Sequence, residues 1–136
     1  MTKTVKSIQK QFELTQKQFE ITQKQYELTQ KKLEITLERL ELTPKKFELL
    51  EKMHPLKVEI MAMEFTPKSD PRYSAVKLDD WQRQLTDLES QIETFDGQSL
   101  DLELQLEAIE GQLTDLESQD EAIEGQLLDL ESAEEE

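Results

Sequence analysis

From Leu78 to Leu130 apolar residues recur at alternating intervals of three and four. One column of this heptad pattern holds Leu78, Leu85, Ile92, Ser99, Leu106, Leu113, Asp120 and Leu127. The other holds Trp81, Leu88, Phe95, Leu102, Ile109, Leu116, Ile123 and Leu130, so that only Ser99 and Asp120 interrupt the stripe. A narrow seam on one side of a helix cannot bury itself and needs a second helix to cover it. The pattern predicts a coiled coil over 78–136, with the apolar residues as the oligomerisation seam and the two polar ones setting register. Leucine beside isoleucine in the two columns, with Trp81 and Phe95 as bulky members, favours more than two strands, and a parallel trimer is the expected state.

The first half repeats every seven residues: QKQFELT, QKQFEIT, QKQYELT, QKKLEIT, LERLELT, PKKFELL. Such a strict short repeat builds a periodic element, not a pocket. One column holds Val5, Phe12, Phe19, Tyr26, Leu33, Leu40 and Phe47, and a second holds Leu14, Ile21, Leu28, Ile35, Leu42, Leu49 and Leu56. A third column, mostly threonine from Thr15 to Thr43, lies between them, and the three cover an arc of roughly 160° on a helix. So broad a face suits contact with two neighbours, and it makes Phe12, Phe19, Tyr26 and Phe47 the candidate docking residues. Gln9, Gln16, Gln23, Lys10, Lys17 and Lys24 read as a solvated face. A strand reading also fits the alternation within each FELT unit, but QKQ lacks the turn chemistry that reversal every seven residues requires.

Thr43-Pro44 predicts a kink or a new helix start. Past His54 the pattern changes: Leu56, Val58 and Ile60 alternate with polar residues between Pro55 and Pro67, predicting a strand over 56–66 or a plain linker, and TPKSDPRYS predicts a loop. His54 is expected at a helix exit, as a C-terminal turn residue rather than a metal ligand. Three segments result: 1–53, a helical repeat with a wide apolar face; 54–77, a Pro-bracketed strand or loop; and 78–136, an acidic coiled coil. The expected fold is mostly α, an elongated parallel coiled-coil oligomer with a short irregular or β segment in its middle.

Charge sharpens the division. Residues 1–57 carry 12 basic and 8 acidic side chains, whereas residues 78–136 carry 1 and 20, within a total of −15. So acidic a half repels nucleic acid and anionic membranes, and neither is an expected partner. The opening MTKTVKSIQKQFELT lacks the apolar core of a secretory signal, and no run is apolar enough to span a bilayer, so a chain soluble as made, and cytoplasmic unless carried elsewhere by an assembly, is expected.

Candidate chemistry is sparse. The chain has one histidine, no cysteine and three glycines, with no phosphate loop and no Ser/His/Asp set, so no enzyme activity, cofactor or metal is expected. Asp120 alone is suggestive: in a parallel trimer its three copies would meet on the axis, as a register-fixing polar layer or as a cation site. The run Glu134–Glu136 reads as a solvated end.

The tandem heptads from QKQFELT onward and the EAIEGQLTDLES units resemble the stalks of bacteriophage tail and neck fibres, over nearly the whole chain. That resemblance implies a trimeric structural protein of the virion whose N-terminal half docks on a larger assembly. Two other readings stay open: an intracellular coiled-coil adaptor, and an antiparallel hairpin in which the two oppositely charged halves lie against each other.

Overall fold

A computed structural model describes the backbone of residues 4–135 and the side chains of residues 4–132. Two helices, α1 (Val5–Glu64) and α2 (Ala75–Glu135), pack as a hairpin, and there is no strand among the described residues. Contacts divide the chain into two compact units, Met1–Ile35 with Leu104–Glu136, and Thr36–Glu103. In the first, Leu14, Ile21, Leu116 and Ile123 form a buried cluster against which Leu28, Leu127 and Leu130 pack. In the second, Leu49, Met53, Ile60, Met63 and Leu102 are buried.

The α2 seam, expected to close between parallel copies, closes on α1 of the same chain. The reason is a matching column: Leu14, Ile21, Leu28, Ile35, Leu42, Leu49, Leu56 and Met63 recur every seven residues on α1 and are buried or half-buried throughout. A ten-residue connection holds this column beside α2 at high effective concentration, so the seam meets it before it meets another chain.

The strand expected over 56–66 is helix as far as Glu64. Leu56 and Ile60 stand four apart and Met63 three further, which continues the phase of Leu49 and Met53. Val58, the residue that made the stretch look alternating, is half exposed on another face. Pro44 and Pro55 lie inside α1. Both rings are exposed, and a proline has no N–H to offer the carbonyl one turn back, at Leu40 and Glu51, which are themselves exposed residues. His54 is therefore an exposed residue within the helix, not at its exit.

Pro67 disfavours helical geometry at Thr66, and the Thr66 hydroxyl donates to the Ala62 carbonyl at 2.8 Å as α1 ends. Two turns follow, closed by Asp70 N–H to the Pro67 carbonyl at 2.9 Å and Tyr73 N–H to the Asp70 carbonyl at 3.0 Å. The Asp70 carboxylate accepts from the Arg72 backbone N–H and from its guanidinium. Ser74 caps α2, its Oγ accepting from the Lys77 N–H at 3.2 Å. The run Glu134–Glu136 lies outside the described side chains.

Two outcomes follow from these local arrangements. A Cβ added at Gly97, Gly111 or Gly125 meets nothing within 4 Å. Each Gly→Ala change should therefore stabilise the hairpin by up to about 1 kcal/mol, the difference in helix propensity. Urea unfolding checks this, and a lower midpoint for Gly111→Ala would show that the site is not open helix. The Arg72 side chain, and then its backbone N–H, hold the Asp70 carboxyl below its ordinary value of 3.8. A depressed carboxyl stabilises the folded form above its unfolded pKa and loses that contribution as pH falls through the folded one. The Asp70 carboxyl carbon should thus titrate by NMR below 3.8 in the native protein and closer to it in Arg72→Ala.

Candidate functional site

The first helix carries three faces, each built from columns repeating every seven residues. The face turned to α2 combines the aliphatic column from Leu14 with a second column: Gln11, Gln18, Gln25, Lys32, Arg39, Lys46, Met53 and Ile60, all buried or half-buried. These two columns alternate by three and four, the same rhythm as the two columns of α2, and this allows antiparallel side-by-side packing.

Ion pairs show the register within each unit. In the first, Lys32 Nζ lies 3.3 Å from Glu110 Oε1. In the second, Lys46 Nζ lies 2.5 Å from Asp96 Oδ1 and Arg39 Nη2 4.0 Å from Glu103 Oε2. Moving seven residues up α1 moves the partner seven residues down α2. All six side chains remain about half exposed, so each pair contributes at most ~1 kcal/mol. Their stronger effect is on alignment, because a one-heptad slip would offer a glutamine or methionine to one of these acids.

The second face is apolar and exposed. Phe12, Phe19 and Tyr26 are 62%, 63% and 67% exposed in the first unit, and Phe47 in the second is 60% exposed. Val5, Leu33 and Leu40, of the same column, are more than half exposed too. Beside this column the hydroxyls of Thr15, Thr22 and Thr29 donate to the carbonyls four residues back, at 2.8, 2.9 and 2.7 Å. With the hydroxyl satisfied inside the helix, what each threonine leaves for a partner is its methyl group. Aromatic and threonine columns again alternate by four and three, forming a second seam turned roughly 100° from the first.

The third face holds Lys10, Lys17, Lys24, Glu13, Glu20 and Glu27, all exposed. Open grooves run where lysines meet α2, such as that lined by Lys24, Glu27, Lys31, Gln112 and Asp115 in the first unit. No group of three or more His, Cys, Asp or Glu side chains among the described residues is placed to hold a metal ion. No helix of the described residues is long and apolar enough to cross a membrane.

Leu102, Ile109, Leu116 and Ile123 are buried, and the other apolar members of the α2 seam, from Leu78 and Trp81 to Leu127 and Leu130, are half-buried. Ser99 and Asp120 are half-buried on the same side. In the first unit Asp120 lies one turn from the buried Leu116 and Ile123 of α2. The wide face read from the α1 repeat divides: α2 covers its aliphatic column, and the aromatic column remains outward. Sequence reasoning missed the Gln11-to-Ile60 column. Its signal was Lys32, Arg39 and Lys46 recurring every seven residues, in step with the acids at Asp96, Glu103 and Glu110.

Compared with protein-family models, curated proteins and solved structures, the chain matches none.

Reversing two of the seam cations, Arg39→Glu with Lys46→Glu, should destabilise the hairpin by about 1–2 kcal/mol, since attraction is replaced by like charge against Glu103 and Asp96. The loss should shrink in 1 M salt, where the screening length is ~3 Å. Thermal melts at low and high salt measure it, and equal losses at both would assign the effect to packing.

Proposed function

We propose that this chain is a structural docking module, a helical hairpin in which α2 covers one side of α1 and the outward aromatic side of α1 joins it to a protein assembly. The observation that carries this reading is the exposed column of Phe12, Phe19 and Tyr26, flanked by threonines whose hydroxyls are already bonded. An aromatic side chain presents ~150–250 Å², so these three alone leave roughly 400 Å² in water at the exposures found, a patch of the size that marks interaction sites on soluble proteins.

The exposed side of α2 supports the same division of labour. Its outward positions are mainly Asp, Glu, Ser and glycine, with only scattered apolar residues such as Leu100, Leu104 and Leu128. Scattered exposed leucines are ordinary, whereas an in-phase aromatic column is not. The acidic side repels nucleic acid and acidic surfaces and leaves α1 as the contact face. The setting we propose is that of a fibre or stalk component of a larger particle such as a phage virion, without catalysis.

The test is site-specific photo-crosslinking in cells that make the protein, with the probe at Phe19 or, on α2 of the same unit, at Glu107. Protein adducts are expected from position 19 and few from 107. Equal yields from the two positions, or none from 19, would reject α1 as the docking face.

A further inference from the structure

We infer that the occupant of the exposed α1 face is the same face of a second copy, the two α1 helices lying antiparallel. This deepens the docking reading and rests on it.

Three observations select a second copy. The first is shape. Along the face, large Phe12, Phe19 and Tyr26 alternate with small Thr15, Thr22 and Thr29. Two such helices in parallel bring aromatic onto aromatic and threonine onto threonine, so layers are alternately overfilled and empty. Reversing one helix exchanges the columns, and each ring then lies over a threonine methyl of the other copy, at even spacing. The surface is its own complement, as an interface about a twofold axis requires.

Charge is the second. The chain carries −15, yet from residue 9 to residue 30 this face is bordered only by glutamine: Gln9, Gln16, Gln23 and Gln30 on one side, and Gln11, Gln18 and Gln25 on the other. Two copies therefore bring no charged α1 column edge to edge over this stretch, and the α2 acids lie beyond the Gln11, Gln18 and Gln25 column, on the side where Lys32 meets Glu110. The bonded threonine hydroxyls bring no unpaired donor into the contact.

Area is the third. With the aliphatic Val5, Ile8 and Leu33, also more than half exposed, the roughly 400 Å² of aromatic surface approaches the ~800 Å² per partner found in stable interfaces.

Sedimentation equilibrium of the purified full chain at tens of micromolar should give twice the 16.0 kDa chain mass. Phe12→Glu/Phe19→Glu/Tyr26→Glu should return it to one chain mass with the far-UV helical signal retained, because the altered residues lie outside the intrachain seam. The chain has no cysteine, so a single spin label can be placed at Lys10→Cys. Label pairs should lie roughly 30 Å or more apart in an antiparallel pair, from the rise of 1.5 Å per residue, and within about 20 Å in a parallel one. A wild-type monomer, a threefold mass, a triple variant that keeps the double mass, or the short label distance overturns the proposal. A wild-type monomer whose position-19 probe captures a different protein removes the self-pairing alone. A monomer with no adduct at that position removes the docking reading as well.

Discussion

A shared rhythm of three and four residues is the constraint on which this hairpin depends. An undistorted helix advances 3.6 residues per turn, so a side chain column repeating every seven drifts slowly round it, and two helices keep such columns in contact only if both keep the same period. Here both do, α1 through Leu14 to Met63 and α2 through Leu78 to Leu130. Full burial of a leucine or isoleucine is worth ~1.5–3 kcal/mol, and the half-buried members contribute a part of that. The polar positions of α1 that border this core are accepted because long Lys and Arg side chains can lay their methylenes along it and carry the charge out to an acid. Lys32, Arg39 and Lys46 bring their charges to Glu110, Glu103 and Asp96.

Periodicity made the helices legible and left their partners ambiguous. The α2 seam could be read directly, since Leu, Ile and Phe fall on it with two exceptions, but a seam does not say whether the covering helix comes from the same chain. That information lay in a column that is polar in its first six members, Gln11 to Lys46, and polar residues are easily assigned to solvent. The oppositely charged halves pointed to the hairpin without deciding for it. In the 56–66 stretch, two inward residues four apart and one outward valine between them imitate a strand, and only the phase inherited from Leu49 and Met53 separates the two. The aromatic column was legible as an apolar surface, because its residues, the Tyr26 hydroxyl apart, carry no polar group to misread. Its separation from the aliphatic column was not, because that depends on where α2 lies.

A repeated sequence also risks alignment errors. The early α1 heptads are nearly interchangeable, as are the fourteen-residue units of α2, so sliding one helix by seven residues preserves most aliphatic contacts. Against this stand the features that do not repeat. The inner column of α1 changes from glutamine to cation to Met53 and Ile60 along its length. The connection adds local anchors at Asp70 and Ser74, which bond within the turns and the first turn of α2. Repetition supplies the bulk of the contact, and these few irregular residues supply its address.

The antiparallel register has a consequence for how such a chain changes length. Because each position on one arm is matched to a position counted backwards along the other, inserting residues into α1 alone would shift every pair beyond the insertion. Only whole heptads added to both arms at the same level keep the ladder of Lys32, Arg39 and Lys46 opposite its acids. The near-copies EAIEGQLTDLESQD and EAIEGQLLDLESAE on α2 are two heptads long, and two QKQFELT-type units on α1 have the same length. Duplication in this chain therefore acts like lengthening a zip: the arms must gain teeth together, and the number gained is always a multiple of seven.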